Sequence, residues 1–333
     1  MSGEASGVGR QLPVGMSGDL YDLRAIFMLR AALAGLDPAG TPAAVVAVPP
    51  RPAPPPGADI AILAGSFDPL TNAHLALAQA ARGHPGQERN VYLALSRHTV
   101  DKEARVRPTD ADRALVLAQW AGRAPGCGVL FFNRGLYADQ AVAARAAFPA
   151  ARSIAFVVGF DKARQIFDPR YYTDRDAALR TLFANVTLLV APRADAGPGA
   201  LDALLDRPEN RPFRDAAWPL PLDPAWADDS STRVREAARQ GRPYADLVPP
   251  ETVAFVNDLQ PYAPPGDLDR YALREALIAA LEPERAWAEA RADLRALVAA
   301  TVAPDAAGER LRAWLVAAPG ERRPATLREL LGT

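Results

Sequence analysis

One cysteine, three histidines and two lysines are all that this 333-residue chain offers of the side chains that most often build metal, redox and covalent centres. The single thiol, Cys127, excludes an intrachain disulfide and a cysteine-rich zinc site, and it fits a reducing cytoplasmic setting. His74, His84 and His98 show no metal-ligand spacing, so no metal held by a protein cage is expected. Lysine occurs only at positions 102 and 162, and the remaining basic residues are arginine. No Gly-x-x-x-x-Gly-Lys-Ser/Thr loop is present, which excludes a P-loop enzyme, and no Gly-x-Ser-x-Gly turn marks a hydrolase nucleophile. No uncharged apolar run reaches membrane-spanning length, and the first 18 residues have no apolar centre, so neither a membrane segment nor a signal peptide is expected. A net charge of −1 offers no matching surface to nucleic acid or an anionic membrane.

What is abundant is apolar sequence, at 49% of residues, ample for a core. Residues 1–17 are rich in glycine and serine and read as a disordered head. Leu20, Leu23, Phe27 and Leu33 recur at helical spacing, Gly35 closes that run, and Ala43–Val48 reads as a short strand. The proline-rich stretch Pro49–Pro56 reads as a stiff connector and sets a boundary, giving residues 1–57 as head, helix and connector.

Strands and helices then alternate. Strands are expected at Ile60–Ala64, Val91–Leu95, Gly128–Phe132, Ser153–Val158 and Val186–Val190. Helices are expected at Asn72–Arg82, Asp110–Trp120, Asp139–Phe148, Lys162–Phe167 and Ala177–Phe183. The strand runs are nearly all apolar rather than alternating, as for strands buried on both faces. The pattern predicts an α/β fold with a doubly wound parallel sheet over residues 58–265. Residues 201–223 read as irregular, and residues 266–333 as a small helical appendix with helices near 267–281, 284–301, 306–317 and 324–331, punctuated by prolines.

Three places sit where such a sheet binds ligands, beyond the carboxyl ends of its strands. In Ala64-Gly-Ser-Phe-Asp-Pro-Leu-Thr-Asn-Ala-His74, Gly65 permits a close turn, Pro69 fixes φ, and Thr71 or Asn72 caps the next helix. The free amides of that helix start, with His74 beside them, form a natural anion site. Asp161, after the strand ending at Val158, reads either as an acceptor for ribose hydroxyls or as a helix cap. Ser230-Ser-Thr232 opens a second helix, ended by Gly241, and Thr232, Arg235 and Arg239 share one of its faces. Arg235 supplies a planar donor fork suited to phosphate. His98 and Lys102 follow the second expected strand at the same sheet edge, in a loop that reads either as facing an anionic ligand or as solvated.

These segments resemble the nucleotidylyltransferase superfamily. Gly65–His74 is similar to its first signature, Gly-x-Phe-x-Pro-x-(His/Thr)-x-x-His, and Ser230–Arg235 to its second, (Ile/Val)-Ser-(Ser/Ala)-Thr-x-(Ile/Val)-Arg. Gly159-Phe-Asp161 resembles the Gly-x-Asp of the nicotinamide/nicotinate mononucleotide adenylyltransferases, and Leu247-Val-Pro249 to Tyr262 their closing segment. Ala73 stands in place of the bacterial glycine, Asp229 in place of an aliphatic residue, and Tyr171 or Tyr172 in place of the usual tryptophan.

The resemblance implies a Rossmann-like fold and adenylyl transfer from ATP to nicotinamide or nicotinate mononucleotide. It implies catalytic roles for His74, Thr71 and Arg235, and ATP binding by Gly65, Gly159, Asp161, Ser230, Ser231 and Thr232. It assigns the acceptor to Ser66, Phe67, His98, Lys102 and Tyr172. Mg²⁺ would be held by phosphates and water. The implied partners are ATP and a pyridine mononucleotide, with no nucleic acid and no membrane; a homo-oligomer is compatible with the sequence. A nucleotidylyltransferase acting on a phosphopantetheine or polyol-phosphate acceptor shares both signatures, and the departures from the family pattern with the added terminal segments also fit a nucleotide-binding regulator without turnover.

Overall fold

The structure, a computed structural model, describes residues 19–83, 88–97, 107–192, 199–226, 230–264 and 269–316. The expected head, His84, His98, Lys102, Asp229 and the expected helix at 324–331 lie outside the described residues.

The chain opens with α1 (Leu23–Ala34) and β1 (Ala44–Val48), followed by β2 (Asp59–Ala64), α2 (Asn72–Arg82), β3 (Arg89–Ser96), α3 (Asp110–Arg123) and β4 (Cys127–Phe132). Next come α4 (Tyr137–Ala147), β5 (Ser153–Gly159), α5 (Phe160–Phe167), α6 (Arg175–Asn185), β6 (Thr187–Ala191), α7 (Ala200–Leu205) and β7 (Ala217–Pro219). The helices α8 (Ser231–Arg239), α9 (Pro250–Leu259), α10 (Arg270–Leu281), α11 (Arg285–Arg291), α12 (Leu294–Val302) and α13 (Ala306–Val316) complete the described elements.

The described strands form one seven-stranded sheet in the order β1-β4-β3-β2-β5-β6-β7, parallel except for β1. From β2 the chain moves outward to β3 and β4, then crosses to β5 and moves outward the other way. The direction of winding therefore reverses between β2 and β5, where a doubly wound sheet opens its binding crevice. Side chains alternate across the sheet: Ile60, Ile62, Phe156 and Val158 join α4, α5 and α6 on one face, whereas Ala61, Leu63, Val91 and Leu93 join α1, α2, α3 and α9 on the other. That double burial explains the unbroken apolar runs.

The N-terminal segment packs on the main domain: β1 pairs with β4 as the antiparallel edge strand, and α1 lies in the same core as α3, so Pro49–Pro56 links two parts of one core. A Cβ at position 128 would sit 2.6 Å from the Val48 carbonyl oxygen, so glycine there admits the end of β1. The Arg97 guanidinium donates to the carbonyls of Leu33, Ala34 and Leu36, closing the C-terminus of α1. The stretch expected to be irregular contains α7 and β7, and β7 pairs in parallel with β6. The helix expected at 284–301 is two: backbone at Ala292 is extended, and the Asp293 carboxylate caps α12 through the Ala296 N–H.

The C-terminal helices share the core of the α1–α3 face, locked by a buried polar cluster. Arg274, fully buried, donates to the Leu20 carbonyl, to Asp112 at 2.8 Å and to Glu275 at 2.7 Å. Tyr271 donates to the Asp112 carboxylate, which also closes a capping box with Thr109. Burial alone would raise the Asp112 pKa, but Arg274 and hydrogen bonds from Thr109 and Tyr271 bring it below its ordinary value. Glu275 goes the other way, raised to about 7 by burial and by the Asp112 charge.

Arg274→Leu would leave the buried Asp112 carboxylate without its cation, while Glu275 keeps Arg30 at 2.7 Å, and is expected to cost about 3–5 kcal/mol by denaturant unfolding; a loss below about 1 kcal/mol would show that the cluster holds little. Because the folded protein keeps the Glu275 proton that the unfolded chain releases above pH 4.5, stability should fall as pH rises from 4.5 to about 7. Unfolding midpoints of Glu275→Gln across that window should lose this decline; an identical profile would refute the assignment.

Candidate active site

The turn between β2 and α2 is built tightly and held from outside. Phe67 is 1% exposed with φ +41°, a conformation that a bulky side chain adopts only under constraint. Its ring fills the space beside Gly65, where a Cβ would lie 3.1 Å away. Four carbonyls of the turn each accept from a side chain distant in sequence. Arg113 donates to Ser66 at 2.5 Å, Arg235 to Asp68 at 2.5 Å, Ser231 to Pro69 at 2.8 Å, and Thr252 to Leu70 at 3.0 Å. Tyr262 adds a hydrogen bond to the buried Asp68 carboxylate at 2.8 Å, which Arg235 faces at 3.8 Å. Burial, then the Asp68 charge, pushes the Tyr262 pKa well up, so the phenol remains a donor.

Thr71 caps α2, and His74 completes the capping box in the position usually held by glutamate or glutamine. The His74 Nδ1 accepts from the Thr71 N–H at 3.1 Å, which places the proton of the neutral ring on Nε2. The ring packs edge-on against Phe67 with centroids 5.0 Å apart. A donor N–H is thus oriented at the first turn of a helix, where the dipole already favours negative charge.

The second signature meets the first. Ser230 caps α8 through the Arg233 N–H, Ser231 reaches Pro69, and Arg235 spans Asp68 and Thr232, donating to the latter at 3.0 Å. The N-termini of α2 and α8 are therefore adjacent, and the side chains of Ser231 and Arg235 are engaged with the backbone of the turn. At the end of β5, Gly159 is the cap of α5 and Asp161 lies inside its first turn, so the cap reading of Asp161 does not hold.

Three pockets border the start of α5, and Asp161 lines one of them with Arg164, Asp168 and Arg175. Of the remaining two, one is lined by Ser66, Ser96, Tyr137, Gln140, Lys162 and Tyr172 among others. Ser66 and Tyr172 were expected at the acceptor; Phe67 was too, but its buried ring packs behind the turn instead. Tyr172 donates to the Ile166 carbonyl at 2.8 Å, and burial pushes its pKa up to about 12. The other pocket, at the ends of β6 and β7, is lined by Phe160, Ala191, Trp218 and Leu220 among others. Trp218 is 51% exposed.

Sequence reasoning missed Arg113, Thr252 and Asp68, which hold the turn, and Gln140, Lys162 and Tyr137, which line the first pocket. Asp68 sat inside the motif in plain view. For the others, the signal was a polar residue interrupting an apolar helix face, which acquires meaning only when the fold brings it to the turn. Among the described residues, no group of three or more His, Cys, Asp or Glu could hold a metal, and no helix is long and apolar enough to cross a membrane.

Comparison with known proteins adds the following. No curated protein matches the chain. Among solved structures, a Plasmodium falciparum nicotinic acid mononucleotide adenylyltransferase complexed with NaAD is similar at 14% identity, covering 62% of this chain and 97% of that one, with a TM-score of 0.42. A putative nicotinate-nucleotide adenylyltransferase from Vibrio parahaemolyticus is similar at 15% identity, covering 62% and 95%, with a TM-score of 0.35. The family described as cytidylyltransferase-like matches residues 62–237, which run from within β2 into α8 and so contain both signatures. With more than half of its length matched, this chain belongs to the cytidylyltransferase-like family of nucleotidyltransferases.

Proposed function

We propose that the chain transfers the adenylyl group of ATP to nicotinamide or nicotinate mononucleotide, releasing pyrophosphate. The observation that carries this reading is the joining of the α2 and α8 N-termini through Ser231–Pro69 and Arg235–Asp68, beside a pocket walled by tyrosines. Two helix starts, a guanidinium and an imidazole N–H form a site for several phosphates rather than one.

The acceptor phosphate is already a nucleophile, so no general base is required. One of its oxygens bonds to the α-phosphorus as the bond to the β-phosphate bridging oxygen breaks, and pyrophosphate leaves with the electron pair. Alignment and charge stabilisation then supply the catalysis. The His74 Nε2–H, oriented by Thr71, donates to the phosphoryl oxygens as charge develops. Ser230, Ser231, Thr232 and Arg235 present the α8 start to the β- and γ-phosphates. Gly65 lets the backbone approach the nucleotide, and Gly159 and Asp161, at the start of α5, receive the adenosine ribose. Ser66 and Tyr172 position the acceptor, together with Lys102 and His98, which lie outside the described residues. Mg²⁺ would neutralise phosphate charge while held by phosphates and water. We place the reaction in the cytoplasm, in keeping with the lone buried thiol of Cys127.

His74→Ala should lower kcat on the order of 10²–10³-fold, with a much smaller rise in KM for ATP, in a pyrophosphate-release assay; an undiminished kcat would remove His74 from the centre of the reaction. Arg235→Ala should raise the calorimetric Kd for ATP by about tenfold or more, through a lost charge-assisted donor and a loosened turn. An unaltered Kd would show that α8 does not face the triphosphate.

A further inference from the structure

One buried acceptor in the tyrosine-walled pocket is left unmatched. Gln140, in the second turn of α4, is 3% exposed and lines the pocket. Its Nε2 donates to the Ser96 hydroxyl at 2.9 Å and to the Arg134 carbonyl at 3.0 Å. A carbonyl oxygen only accepts, so the Arg134 contact fixes which way round the amide lies. The Oε1 is buried and has no hydrogen-bond partner. A buried carbonyl oxygen without a donor is costly, and native structures keep such groups where a ligand or water completes them.

The surroundings narrow the ligand. Tyr137 and Tyr172, with Leu136 and Ile166, give the pocket a largely apolar lining suited to an aromatic ring, and both phenols are held un-ionised by burial. The group that reaches Gln140 must bring an N–H or O–H. A carboxamide on that ring has two N–H donors; a carboxylate has only lone pairs and would oppose those of Oε1. This inference rests on the adenylyl-transfer reading above and names its acceptor. We infer that Gln140 is a specificity-determining residue that selects the amide mononucleotide, nicotinamide, over the acid, nicotinate. Lys162, on α5, is the cation of the pocket and donates to Gln165 at 2.6 Å. A preference for the acid would make Lys162 the reader instead.

The test compares the two mononucleotides with the full-length protein, reading pyrophosphate release with ATP and magnesium, and separately the calorimetric Kd of each. The wild type should favour the amide by about tenfold or more in kcat/KM and in Kd. Gln140→Leu removes the acceptor and should cut that ratio by about tenfold, whereas Gln140→Glu restores an acceptor and should keep the amide preferred. A merely structural role would move both variants alike. Equal or better use of the acid by the wild type, or a ratio that both variants leave as it was or abolish together, overturns the inference while adenylyl transfer stands. Neither binding nor turnover of either mononucleotide overturns the adenylyl-transfer reading and this inference with it. Should a variant fail to fold, the wild-type ratio decides.

Discussion

The backbone carbonyls of Ser66, Asp68, Pro69 and Leu70 each accept a hydrogen bond from a side chain on another element, and the site depends on those four bonds. A turn with Phe67 at positive φ is not a shape the chain would keep unaided. Arg113 on α3, Ser231 and Arg235 on α8, and Thr252 on α9 impose it. Those constraints serve the catalytic reading directly: they set the start of α2, and with it the orientation of His74, against the start of α8. The buried Asp68 carboxylate is matched by Arg235 and Tyr262, so the charge beneath the turn is neutralised on the protein side.

The sheet was largely legible in the sequence because β2, β3, β4 and β5 are buried on both faces and appear as unbroken apolar runs. β7 was not. It has three residues, ends in proline and exposes Trp218, which leaves no periodicity to read. The direction of β1 depends on its partner β4 and on the room that Gly128 leaves for it, neither visible locally. The proline-rich stretch marks a stiff connector by composition, but composition does not say that its two ends join strands of one sheet.

At the site, the two signatures were legible because their spacing encodes a local strand–turn–helix and a local helix cap. Their joint function was legible only through family resemblance, since the contact from Ser231 to Pro69 spans 162 residues. Phe67 shows the limit of motif reading: a residue fixed in the signature serves by packing behind the turn, where a Cβ-free Gly65 admits it. Gln140 shows the converse, a polar side chain in an alanine-rich helix whose meaning emerges once Ser96 and Arg134 hold one end of its amide. The Arg274 cluster makes a parallel point about the C-terminal helices. Their polar residues tie Leu20, Asp112 and Glu275 together beneath the same sheet that carries the turn, so Leu20 and α10 are part of the scaffold.

The central claim is that the clamped turn and α8 form one triphosphate site, and a crystal structure of the protein with a non-hydrolysable ATP analogue and magnesium tests it most directly. The account predicts the analogue's phosphates between the N-termini of α2 and α8, within hydrogen-bonding reach of the His74 Nε2 and the amides of α8. Phosphates bound elsewhere, with these two helix starts facing only solvent, would contradict it.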